Sequence, residues 1–158
     1  MFKPKYKILL NDQCFPNNDF ICLGSQLISI TSHLKNILKP HVWYAADVEV
    51  AGNSIRKNDF SGIQLKLIGD DSKFIEYCSQ IEQFVWGVFV CIDIHFSQQN
   101  VRDIELETEE KPFRPINAKG VLLEIRTFDT TFFDIYFDNI MLAKQISEQY
   151  NTAIKQID

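Results

Sequence analysis

The stretch from Gly120 to Asn151 constrains the fold more than any other part of the chain. Apolar residues occupy every second position on both sides of a short polar turn: Val121, Leu123 and Ile125 before it, and Phe133, Ile135 and Phe137 after it. Such alternation is typical of strands that bury one face. The pattern therefore predicts a β-hairpin with one apolar face.

The register of this hairpin follows from keeping the apolar residues together. A three-residue connection through Phe128, Asp129 and Thr130 places Ile125 opposite Phe133. A slip by one residue would turn that whole face toward water. The same connection predicts that Glu124 lies opposite Asp134 on the other face of the hairpin.

That other face has a mixed character. It carries Leu122, Glu124, Arg126, Phe132, Asp134, Tyr136 and Asp138. Because Arg126 can pair diagonally with Asp134, we expect the face to be solvated. Phe132, Tyr136 and Leu122 would then form an exposed apolar patch, unless a helix or a partner covers them.

A terminal helix is predicted directly after the hairpin. Asp138 or Asn139 is a suitable N-cap. Apolar residues then share one helical stripe: Ile140, Leu142 or Ala143, Ile146 and Tyr150.

Periodicity and breaker residues predict the remaining elements. They are a strand at 5–10, a helix from about Ser25 that Pro40 ends, strands at 41–50 and 62–69, a helix after Asp70, and a central strand at 85–96. In the strand at 41–50, one face is expected to hold Val42, Tyr44, Ala46, Val48 and Val50. The order of elements indicates an α+β fold, in which a mostly antiparallel sheet of about five to seven strands carries about three helices. A chain of 158 residues is expected to form a single domain, 1–158.

The segment 97–119 differs in composition from the rest of the chain. It holds five carboxylates within eight residues, and two prolines follow them: Asp103, Glu105, Glu107, Glu109 and Glu110, then KPFRP. The segment 101–108 alternates, so it is predicted to be either an exposed edge strand or a long acidic loop.

Charge and cysteine usage restrict the class of protein. The net charge is −5, and residues 61–158 carry nine basic residues against sixteen acidic ones, which argues against nucleic acid as a partner. The four cysteines form no CxxC pair, as in chains of the reducing cytoplasm. After the basic amino end, Ile8, Leu9 and Leu10 are too few for a signal peptide, and no run suits a membrane span.

The familiar catalytic and nucleotide-binding motifs are absent from the sequence. The strongest catalytic candidates are Asp93 and His95, because alternate residues of one strand face the same way and lie about 7 Å apart. A nucleophile or a third ligand would have to come from elsewhere, and the sequence identifies none. We therefore expect no metal and no cofactor.

The residues expected to bind a partner are acidic or aromatic. They are Asp103, Glu105, Glu107, Glu109, Glu110, Glu124, Phe132, Asp134 and Tyr136. The pattern LLEIRTFDTTFFDIYFDN, in which a strand, an FDT turn and an aromatic-acidic strand lead into a helix, resembles small bacterial proteins of the toxin-immunity type. This resemblance implies a cytoplasmic protein that blocks one cognate toxin without catalysis.

Three functions remain open from the sequence. The first is a non-enzymatic binding protein, an inhibitor or immunity-type partner of a basic protein, which the acidic segment and the hairpin face favour. The second is a small-molecule-binding or hydrolytic enzyme that uses Asp93 and His95. The third is a structural or assembly subunit that forms a homodimer through an exposed edge strand.

Overall fold

One antiparallel sheet organises the chain in the computed structural model, which describes residues 2–96, 101, 104–109 and 119–157. Within these residues its seven strands are β1 (Tyr6–Leu10), β2 (His41–Ala51), β3 (Lys66–Gly69), β4 (Gln83–Asp93), β5 (Val121–Phe128), β6 (Phe132–Phe137) and β7 (Lys155–Gln156). The strand order is β3-β2-β4-β5-β6-β1-β7. Three helices accompany the sheet: α1 (Gly24–Ser32), α2 (Asp71–Ser79) and α3 (Ile140–Tyr150). The predicted α+β class is confirmed.

The helices begin where the sequence provides caps. The Asp70 carboxylate accepts a hydrogen bond from Lys73 N at 3.0 Å, and the Asn139 side chain accepts one from Met141 N at 2.8 Å. At the start of α1, a Cβ on Gly24 would lie 2.1 Å from the Cys78 carbonyl oxygen, so only glycine allows this approach to α2. Helix α1 ends at Ser32 rather than at Pro40, and turns follow it.

Each face of the sheet has its own buried cluster. All three helices pack on one face, where their apolar stripes meet residues such as Trp43, Phe89 and Phe133. The second cluster contains Tyr44, Val88 and Val90, together with residues from outside the sheet and no residue of the three helices. Residues 87–93 of β4 are therefore buried on both faces, as expected of a central strand, whereas Val85 and Trp86 are half-buried.

A β-bulge in β2 overturns the face assignment predicted for this strand. Asp47 has φ 52°, and the pairing with β4 shifts between Ala46 and Glu49. One extra residue therefore exchanges the two faces within the strand. Tyr44 and Ala46 belong to the second cluster, whereas Val48 packs on the helix side.

The hairpin forms with the predicted faces but in a different register. Ile125 pairs with Ile135, and Arg126 lies directly opposite Asp134. The shift relative to the prediction is by two residues, so every side chain keeps its face. The turn closes through a hydrogen bond from Thr131 N to Phe128 O at 2.8 Å.

Among the residues that the structure describes, none of the helices has the length and apolar character that crossing a bilayer requires.

Candidate functional site

The expectation that the outer face of the hairpin is solvated is wrong. The exposed fractions of Glu124, Asp134 and Tyr136 are 1%, 3% and 1%. Phe132 is half-buried. Three of the four hairpin residues expected to bind a partner are therefore not available at the surface of this structure.

A buried polar network explains how carboxylates are accommodated on this face. Arg126, which is 2% exposed, donates from Nη2 to Glu124 Oε1 at 3.1 Å. Its Nη1 donates to the carbonyl oxygens of Glu107 at 3.1 Å and Thr108 at 3.0 Å. A guanidinium with several donors in a fixed fork is suited to such buried pairing. Arg126 therefore links the hairpin to the acidic segment.

Burial imposes a desolvation penalty on the two buried carboxyl groups, and neighbouring cations offset it in part. Burial raises the pKa of Glu124, and the charge of Arg126 offsets this only in part. Burial also raises the pKa of Asp134, although Lys7 Nζ lies 3.0 Å from Asp134 Oδ2 and lowers it. The Tyr136 hydroxyl donates to the same Asp134 oxygen at 3.2 Å.

Residues 104–109, which we call the strap, cover part of the second face. Leu65 N donates to Ile104 O at 2.9 Å, and Leu106 N donates to Ile63 O at 2.7 Å. Leu106 and Thr108 are buried, whereas the three carboxylates of the strap are exposed: Glu105, Glu107 and Glu109. The strap thus shows strand-like alternation beside residues 63–65, with a bridge between Gln64 and Glu105. Asp103 and Glu110, also expected to bind a partner, lie outside the described residues.

A row of aromatic side chains crosses three adjacent strands on the second face. Trp86 on β4 lies opposite Phe128 on β5, and Phe128 lies opposite Phe132 on β6. The ring centroids of Trp86 and Phe128 are 6.3 Å apart, and those of Phe128 and Phe132 are 5.1 Å apart in a stacked arrangement. All three side chains are only half-buried. The row therefore presents contiguous aromatic area to solvent.

Carboxylates surround the Trp86 end of this row. Glu49, which is exposed, pairs with Trp86 across β2 and β4. A cavity of about 270 Å³ is lined by Asp47, Trp86, Glu107 and Glu109. We call the aromatic row and these four carboxylates the aromatic–acidic surface. It contains three of the residues that the sequence predicted for partner binding, namely Glu107, Glu109 and Phe132.

Sequence reasoning missed the other members of this surface. The sequence places Trp86 in the central strand at 85–96 and Asp47 and Glu49 in the strand at 41–50, and no local motif marks them as members of a site. Cross-strand pairing of Trp86 with Phe128 could be found only with the strand order in hand, because the two residues are far apart in sequence.

Asp93 and His95 do not form the pair on one strand that was predicted. Strand β4 ends at Asp93, and His95 follows in an exposed turn. The Asp93 carboxylate accepts a hydrogen bond from His95 N at 3.0 Å. Asp93 therefore caps the turn through the backbone of His95. Within the described part of the chain, no three His, Cys, Asp or Glu side chains are grouped so that they could hold a metal ion.

Larger cavities also lie away from this surface in the described part of the molecule. One of about 370 Å³ is lined by residues that include Lys7, Cys14 and Tyr150. Another of about 490 Å³ is lined by residues that include Tyr6, Leu122 and Asp138. Of the predicted partner-binding and catalytic residues that the structure describes, none lines either cavity.

Comparisons with protein families, with curated proteins and with solved structures found no match to this chain.

Proposed function

We propose that this chain is a non-enzymatic protein-binding domain that recognises a basic partner through its aromatic–acidic surface. The observation that carries the proposal is the half-exposed row of Trp86, Phe128 and Phe132 beside four carboxylates. Aromatic residues are enriched at interfaces and anchor many of them. Carboxylates beside them attract and orient a basic surface.

The chemistry of this surface suits arginine and lysine side chains. A guanidinium can stack on the Trp86 ring, while its N–H groups reach Glu107 or Glu109. The aliphatic stem of such a side chain would contact Phe128. Recognition would therefore combine apolar burial with charge pairing.

The resemblance to immunity-type proteins implies that the partner is a cognate toxin, and the basic product of a neighbouring reading frame is the natural partner to test. We propose the cytoplasm as the compartment, because all four cysteines are free and three of them are buried. The homodimer through an edge strand remains a separate prediction, and a monomer in light scattering at high concentration would contradict it.

Intrinsic fluorescence tests the proposal directly, because the chain has two tryptophans in different environments. Trp43 is fully buried on the helix side, whereas Trp86 belongs to the aromatic–acidic surface. We expect a nona-arginine peptide, used as a defined basic probe, to change the emission of the wild-type chain. Trp43→Phe should keep this change and Trp86→Phe should abolish it. A change that survives in Trp86→Phe would place binding elsewhere.

Charge-neutral variants test the acidic part of the surface. Glu107→Gln combined with Glu109→Gln removes two exposed charges, each worth about 0.2–1 kcal/mol in a surface pair. We expect affinity for the peptide to fall about twofold to thirtyfold. The matched control combines Glu76→Gln with Glu148→Gln, which are exposed on helices of the opposite face. Equal losses in both variants would show that only net charge matters, and the proposed site would be wrong.

A further inference from the structure

Side chains, rather than strand pairing, fix the second half of the strap. Up to Leu106 the strap is hydrogen-bonded to the backbone of residues 63–65. Beyond it, Thr108 N donates to Asp47 Oδ2 at 2.7 Å. The carbonyl oxygens of Glu107 and Thr108 accept from Arg126 Nη1. The backbone between Glu107 and Glu109 is thus hydrogen-bonded by two side chains, Asp47 and Arg126. We call these contacts the clamp.

Both clamping residues are placed by features of the sheet. The bulge in β2 gives Asp47 a positive φ of 52°, and the Asp47 side chain then meets the strap. Arg126 is directed toward the strap from β5, and its Nη2 donates a hydrogen bond to Glu124 Oε1 at 3.1 Å. These side-chain contacts are separate from the backbone pairing of the strands on which the two residues lie. Their contacts instead determine where the strap runs.

The clamp bears directly on the surface to which we assign binding. Glu107 and Glu109 flank Thr108 in sequence, and both line the cavity beside Trp86. A binding surface that is ordered before the partner arrives loses less conformational entropy on association. The position of the two carboxylates is therefore set in the free protein.

We infer that Asp47 and Arg126 are positioning residues that hold the strap so that Glu107 and Glu109 meet the basic partner in a fixed geometry. This inference rests on the proposed function, since it assigns the clamp a role in the same site. Asp47 also contributes a charge to the cavity, so its two roles must be separated.

Two substitutions at Asp47 separate them. Asp47→Asn removes the charge but keeps an oxygen that can accept from Thr108 N, whereas Asp47→Ala removes both. Hydrogen exchange of the Thr108 amide in the free protein is the first readout. We expect Asp47→Ala to speed this exchange about tenfold or more and Asp47→Asn to change it much less, because only the alanine variant loses the acceptor.

Binding of the nona-arginine peptide is the second readout. Both variants lose the same charge, so any further weakening in Asp47→Ala relative to Asp47→Asn measures positioning, and we expect about threefold or more. Arg126→Lys provides an independent variant that keeps the charge but loses the forked geometry, and it should also speed exchange at Thr108.

The outcomes distinguish this inference from the proposed function. Peptide binding by the wild type with equal Thr108 exchange in Asp47→Ala and Asp47→Asn overturns the inference alone. Unequal exchange with equal peptide affinity also overturns it, because the clamp would then be only structural. A wild-type chain that does not bind the peptide overturns the proposed function, whatever the exchange rates are.

Discussion

Two neighbouring phenylalanines on β6 allow folding and binding to be separated by experiment. Phe133 is fully buried on the helix side, where its ring lies 6.1 Å from that of Phe15. Replacing a buried phenylalanine by alanine removes its transfer free energy and leaves a cavity, so we expect Phe133→Ala to cost about 3–5 kcal/mol. Phe132 lies on the opposite face and remains half-exposed.

The cost of Phe132→Ala should be smaller, because less area and one stacked contact are lost. Its ring stacks on Phe128 at 5.1 Å with an interplanar angle of 19°, and such pairs contribute about 0.5–1.5 kcal/mol beyond area burial. With partial loss of buried area added, we expect a total of about 1–2 kcal/mol. For a chain of this size, each kcal/mol corresponds to about 2–4 °C in Tm.

Urea unfolding followed by circular dichroism measures both variants without relying on tryptophan emission. Phe132→Ala should remain folded and yet lose much of the affinity for the nona-arginine peptide. Phe133→Ala, where it is still folded, should bind the peptide nearly as well as the wild type. Equal losses of stability in the two variants would show that both faces of the hairpin are equally covered, which would refute the assignment of Phe132 to a binding surface.

The remaining predictions concern the turn, the buried charges and the thiols. Thr130 has φ 59°, a conformation unfavourable for a β-branched residue, so Thr130→Gly should raise the free energy of unfolding by about 1 kcal/mol in urea titrations; a loss would contradict the strain argument. Arg126→Met should cost about 3–5 kcal/mol at pH 7.5 because it leaves Glu124 without its cation, and a cost that does not shrink at pH 4, where carboxylates take up protons, would refute this. Burial raises the pKa of Glu124 from 4.5, so the folded state binds the Glu124 proton more tightly than the unfolded state does. Glu124 therefore lowers the free energy of unfolding as the pH rises above 4.5. In Glu124→Gln, the decrease in the free energy of unfolding above pH 4.5 should be smaller than in the wild type. Burial raises the pKa of Cys22 to about 12, so iodoacetamide at pH 8 should modify the half-buried Cys14 first, and mass spectrometry should find Cys22 modified only after unfolding.

The sequence predicts local structure well where one signal dominates. The terminal helix α3 begins after Asn139, one of the two predicted caps, because an amide side chain can satisfy the first free N–H groups. The apolar face of the hairpin is also correct, since a register shift by two residues preserves every face. Such features depend on residues close in sequence.

Features that depend on residues distant in sequence cannot be predicted from local sequence patterns. The alternation in β2 predicts a continuous face, but the bulge at Asp47 exchanges the faces, and nothing in the local pattern indicates an extra residue. Likewise, Glu124 and Asp134 look like solvated positions because the residues that cover this face, and the Lys7 cation of Asp134, are distant in sequence. Arg126, the cation beside Glu124, also donates to the strap, and Lys7 on β1 pairs with Asp134. The aromatic row cannot be predicted from the sequence for the same reason, since its members lie on three strands.

The position of β1 in the sheet has a consequence for the order of events during synthesis. Its partners are β6 and β7, which are encoded near the other end of the chain. On the ribosome the amino-terminal part emerges first, so Ile8 and Leu10 must wait without their native neighbours until β6 has been made. Pairings between such distant segments close slowly because the intervening chain must first be ordered. A chain released before residue 132 would therefore leave β1 without a sheet to join, and it would be a natural substrate for chaperones or proteases.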